Sequence, residues 1–118
     1  MRYSRAEIAR ARALRAAGLV WKPRLGDWYV TDHGFVAFVR GHGEVGHVAS
    51  RHTWLPGWVD CRRWLAERGW RHPETPLDDP GRVRIVVVQD DGRALSADGA
   101  TDLECLYGII GAVLADNK

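Results

Sequence analysis

The sequence contains no run of 18 apolar residues and no cleavable apolar segment after Met1, so membrane insertion and secretion are not expected and the cytoplasm is the default compartment. Cysteine is scarce. Cys61 and Cys105 each fall beside apolar residues in a helix-forming stretch, which predicts two small buried thiols and no disulfide. Despite 13 glycines there is no G-x-G-x-x-G or Walker-type loop, and no nucleophile is paired with an obvious base. No cofactor is therefore expected, and a non-enzymatic role is favoured over catalysis. Lysine is rare as well: 15 of the 17 basic residues are arginine.

The residues present are enough for a core. A chain of 118 residues, 46% hydrophobic and 27% charged, fits one globular domain over 1–118 that buries about two-thirds of its unfolded surface. Net charge is +2 but unevenly placed. Residues 1–72 hold 13 Lys/Arg against 6 Asp/Glu, and residues 73–118 hold 4 against 9. Such polarity bears on partners and self-association, not on fold.

Along the chain, Ser4-Arg-Ala-Glu7 has the spacing of a capping box, and Gly18 suits a helix stop. Within that helix Tyr3, Ala6, Ala9, Ala13, Leu14 and Ala17 gather on one side, the expected packing face, although Ile8 falls away from it. Leu19–Val48 reads as an antiparallel meander: Asp27–Thr31, a turn at Asp32-His33-Gly34, Phe35–Arg40, and a third strand over Glu44–Ala49. Pro56-Gly57 precedes a second helix, whose stripe is Trp58, Cys61, Trp64 and Leu65 and whose stop is Gly69. Arg71–Gly81, with three prolines, reads as an irregular crossing loop. Arg82–Gln89 is the expected central strand, and Ala94–Ala97 a short partner to it. A second capping box, Thr101-Asp-Leu-Glu104, opens a last helix with Leu103, Leu106, Tyr107, Ile110, Val113 and Leu114 on one face. The expected architecture is α+β, in the order α-βββ-α-ββ-α, with a mainly antiparallel sheet covered by helices.

The runs Val20-Trp21-Lys22-Pro23, Gly26-Asp27-Trp28-Tyr29, Trp54-Leu55-Pro56 and Asp98-Gly-Ala-Thr101 give the chain a likeness to known proteins. It resembles small uncharacterised proteins encoded in prophage regions of Gram-positive bacteria. The resemblance implies an accessory or regulatory binding protein and assigns no catalytic residue.

Several groups of residues are candidate sites. The chain has six tryptophans; Trp28 and Trp64 fit a core, whereas Trp54 and Trp58 flank a loop entering a helix and are candidate anchors for a protein partner. The alternative is nucleic-acid binding, for which Arg5, Arg12 and Arg15, with Arg62 and Arg63, would supply phosphate contacts. A metal or enzymatic site around His42, Glu44 and His47 is a weaker alternative, because the spacing is not H-E-x-x-H and on a strand His47 would point away from the other two. No metal is expected. In the last helix Gly108, Gly111 and Ala115, in line with Glu104, form a small-residue stripe that predicts a homodimer contact over 104–115.

Overall fold

In the computed structural model, which describes residues 2–74 and 81–116, the protein is α+β, with four helices and two small antiparallel sheets. The chain forms two compact units, Met1–Gly57 and Trp58–Lys118.

The first unit begins with α1, Arg5–Ala16. The Ser4 hydroxyl accepts from the Glu7 amide at 3.0 Å, and the Glu7 carboxylate accepts from the Ser4 amide at 2.7 Å, completing the expected capping box. The buried face of α1 is Glu7, Ala11 and Leu14, with Ile8 and Arg10 at its margins. Ala6, Ala9 and Ala13 face outward, so the packing face is rotated by about a quarter-turn from the alanine-rich side. Burial follows the larger side chains Leu14 and Ile8, because small alanines have little apolar area to remove from water.

Strands β1 (Trp28–Val30) and β2 (Val36–Phe38) form the expected hairpin, with Trp28 opposite Phe38 and Val30 opposite Val36. At the turn the Gly34 amide donates to Thr31 O and the Thr31 amide to Phe35 O, and Gly34 takes φ +89°, a region that L-residues with a Cβ avoid. The next segment departs from expectation. His42–Arg51 is a helix, α2, and not the third strand of a meander. Its apolar residues Val45 and Val48 are three apart, a helical spacing that packs both on one side, whereas a strand would have sent them to opposite faces. Glu44 in its first turn accepts from the Arg40 amide, and Arg51 lies in its last turn, so both charges oppose the helix dipole. The third strand is β3, Thr53–Trp54, which pairs with the other edge of β1 to give the order β2-β1-β3.

The second unit opens with α3, Trp58–Glu67, which buries Cys61 and Leu65 and stops at Gly69, φ +86°. Trp64 is half-buried beneath the Arg68 guanidinium, 3.7 Å from the ring centre, so it does not enter the core as expected; Trp70 does. Trp28, in the first unit, is likewise half-buried, against Tyr3 and Phe38.

Strand β4, Arg71–Glu74, occupies the start of the expected crossing loop; residues 75–80 of that loop lie outside the described residues. Pro73 is accommodated because β4 is an edge strand and its register shifts between Arg71 and Glu74. Strand β5, Val83–Val88, is central as expected, between β4 and β6, Ala94–Gly99. Ile85 and Val87 are fully buried on one face of β5.

Helix α4, Asp102–Asp116, packs on β5, β6 and α3. Its capping box forms: the Glu104 amide donates to Thr101 Oγ1, and the Glu104 carboxylate accepts from the Ala100 and Thr101 amides. Burial extends beyond the expected stripe to Cys105 and Ile109, so nearly the whole circumference of α4 is apolar and enclosed. Each large side chain buried there contributes about 1.5–3 kcal/mol.

Candidate binding site

The end of α1 sets the geometry of a pocket in the first unit. Gly18, φ +99°, closes a left-handed stop in which the Leu19 amide donates to Leu14 O and the Gly18 amide to Arg15 O. This turn leads the chain into Leu19, Val20 and Trp21, which line one side of the pocket. Trp21 is fixed by Asp27, whose Oδ2 accepts from Trp21 Nε1 at 3.1 Å and from the Arg24 amide at 3.0 Å.

The opposite wall comes from β3 and the end of α2. Trp54 lies across β1 from Tyr29, and its ring is parallel to that of Trp21, with centroids 6.3 Å apart and planes 5° apart. His52, which caps the C-terminus of α2, stacks on Tyr29 at 4.9 Å and 11°. Four rings from three segments therefore meet. Arg15 sits among them, donating to Ser50 O at 3.0 Å and to Thr53 Oγ1 at 3.5 Å. The pocket measures about 260 Å³.

Two polar atoms here are left unsatisfied. His52 Nδ1 and Trp54 Nε1 are buried and find no hydrogen-bond partner among the described residues. An unpaired buried donor or acceptor costs about 1–3 kcal/mol, so two in neighbouring pocket-lining residues call for a reason.

Of the residues singled out in the sequence, Trp54 and Arg15 meet at this pocket. Arg12 is on the same helix but donates to Thr31 O at 3.2 Å, and Arg5 is exposed. Arg12 and Arg15 thus each spend donors on acceptors within the first unit and do not form a row of free cations. Trp58, Arg62 and Arg63 belong to the second unit. There Trp58 is 41% exposed on the first turn of α3, with the Arg62 guanidinium 4.6 Å from its ring centre, Val59 63% exposed and Arg63 exposed.

His42, Glu44 and His47 fall on a helix and not on a strand, which changes their grouping. At about 100° per residue Glu44 and His47 share a face and His42 points away, the reverse of the strand pairing. Among the described residues no group of three His, Cys, Asp or Glu side chains is placed to hold a metal ion. In α4, Glu104 is buried in its capping box, Gly108 and Gly111 are half-buried and Ala115 is exposed, so the stripe does not continue to Glu104 as an open surface.

Cys61 and Cys105 are both buried free thiols, as expected. Burial, with a smaller push from Asp60, raises the Cys61 pKa well above its usual range. Cys105 donates its thiol to Val83 O at 3.2 Å.

Sequence reasoning missed Trp21, Tyr29 and His52 as members of one cluster. The available signal was that all three are large rings within a few residues of turn or cap positions, but their meeting depends on α2 being a helix. No family model, curated protein or solved structure matches the chain.

Proposed function

We propose that the protein is a non-catalytic binding protein acting on a protein partner in the cytoplasm, an accessory role of the kind implied by its likeness to prophage-encoded proteins. The observation that carries this reading is the exposed start of α3. Trp58 and Val59 present apolar area to solvent beside Arg62 and Arg63. Tryptophan and arginine are both among the residue types enriched at the energetic centres of protein interfaces. Its basic flank favours a partner whose contact surface is apolar and acidic.

The test is affinity capture from a nuclease-treated lysate, followed by titration of the captured protein against wild type and Trp58→Ala. We expect the wild type to retain its partner in high salt and Trp58→Ala to weaken it by more than about 10-fold, as for an interface hot spot. Equal binding by the variant would remove Trp58 from the interface and with it this reading. Capture that vanishes after nuclease treatment, and that depends on Arg5, Arg12, Arg15, Arg62 and Arg63, would favour the nucleic-acid alternative, supported so far by the basic excess of the first unit.

A further inference from the structure

The ring-lined pocket has a neighbour. A second, more open cavity of about 400 Å³ shares Arg15 and His52 with the first and is otherwise lined by Arg51, Ser50, His33 and Asp32 among others. One cavity is walled by rings and contains the two residues with orphaned nitrogens; the other is walled by cations and hydrogen-bonding groups. Together they reach the range of about 300–1,000 Å³ usual for small-ligand sites.

The unit around them is net positive. Residues 1–57 hold nine Lys/Arg against four Asp/Glu. Three of those acids are engaged within the unit: Glu7 by the Ser4 amide, Asp27 by Trp21 and Arg24, and Glu44 by the Arg40 amide. The fourth is Asp32, at the second cavity, where its carboxylate can accept from a hydroxyl donor. Arg15 spends two of its donors on Ser50 O and Thr53 Oγ1, and a guanidinium carries five.

We propose that these two cavities form one site for a small planar heteroaromatic molecule bearing hydroxyls and an anionic group, a mononucleotide in chemical class. The ring would lie among Trp21, Trp54 and His52; His52 Nδ1 and Trp54 Nε1 are enclosed in this structure, so pairing them with ring nitrogens and exocyclic groups requires these side chains to shift on binding. The anion would lie beside Arg15 and Arg51, and the sugar hydroxyls would face Asp32. Base stacking on an aromatic surface is worth about 1–3 kcal/mol, and charge-assisted hydrogen bonds to arginine fix orientation. The site lies wholly within residues 1–57, so it stands or falls apart from the Trp58 surface.

The experiment is titration of the intact protein with AMP, GMP, CMP and UMP, each followed by calorimetry and tryptophan fluorescence. Adenosine, inorganic phosphate and a short single-stranded oligonucleotide serve as comparison probes. At least one mononucleotide is expected to bind saturably, at least about 10-fold more tightly than adenosine or phosphate alone, since both halves of the site then contribute. Arg51→Ala should weaken it by about 10-fold, and His52→Phe, which keeps a ring stacked on Tyr29, should weaken it while leaving the circular dichroism intact and the melting temperature no lower. Absence of saturable binding by all four mononucleotides at millimolar concentration, or binding indifferent to both variants, overturns the proposal. Tighter binding of the oligonucleotide through the same residues also overturns it, in favour of a single-strand groove.

Discussion

The two units spend their buried surface differently. Among the described residues, the second buries twelve hydrophobic side chains, from Cys61 and Leu65 through Ile85 and Val87 to Val113, whereas the first buries Ala11, Leu14, Val30, Val39, Val48 and Leu55, with Pro56 beside them. Among its described residues the second unit also pairs polar groups: the Glu104 carboxylate accepts from two amides, the exposed pair Arg84–Asp98 links β5 and β6, and Arg93–Asp91 and Arg71–Asp90 lie about the turn between those strands. The first leaves cavities and two orphaned nitrogens. Its net charge is +5 from nine basic and four acidic residues, against −3 from eight and eleven in the second. A region that has cavities, unpaired polar atoms and a net positive charge is where a ligand has most to add, and a closed apolar core is where it has least.

Mutations in α4 should have the largest effect on that contrast. Leu106→Ala removes a fully buried side chain from the second core and should cost about 2–5 kcal/mol in urea denaturation. A loss below about 1 kcal/mol would mean that this core is not closely packed. Next is Gly99→Ala, whose added Cβ would lie 2.7 Å from Glu104 Cβ; displacing the cap should cost about 1–3 kcal/mol. Unchanged stability would show that Glu104 moves freely and that its capping bonds contribute little.

The first unit should respond in the opposite direction. His52→Phe replaces an orphaned nitrogen by carbon while retaining a ring against Tyr29, so the melting temperature should hold or rise, by up to about 1 kcal/mol in stability. A loss larger than that would mean His52 Nδ1 is paired in solution and would weaken the contrast between the units.

Two pH responses in the second unit are smaller and opposite in sign. Burial raises the folded-state pKa of Cys61, so its contribution is complete below the ordinary thiol value of 9.0 and is lost as pH rises beyond it. The urea midpoint should therefore fall in alkali more for wild type than for Cys61→Ala, and equal slopes would show an accessible thiol. The Asp98 carboxyl is held below its usual range, chiefly by the hydrogen bond from Arg84, so its contribution is present at neutral pH and lost as pH falls through the folded value. Asp98→Asn should be slightly less stable than wild type at neutral pH and converge with it in acid. Both groups are exposed, so this is the smallest expected effect. A gap that persists in acid would assign the difference to something other than the ion pair.

Local chemistry made much of the fold legible in the sequence. Both capping boxes, the hairpin at Gly34, the stops at Gly18 and Gly69 and the central place of β5 each depend on residues within a few positions of one another, and each was read correctly. The α+β class followed from those elements. Three features were not readable in this way. The packing face of α1 was set by Leu14 and Ile8 against the alanine count; α2 formed where valines and glycines fitted strand or helix; and β4 formed through pairing to β5, which its own proline-bearing sequence does not announce.

The pocket belongs to this second group. Trp21, Tyr29, His52 and Trp54 were all visible as large rings, and Arg15 as a charge, but nothing in their spacing brings them together. Their meeting requires α2 to end at His52 and β3 to join β1 with Trp54 opposite Tyr29, choices made by long-range pairing and burial. The sequence by itself determined where helices begin and stop, because caps and turns are satisfied within one turn of chain. Tertiary structure alone decided which faces are covered and which polar atoms are left without a partner, because those depend on groups that the chain brings together from far apart.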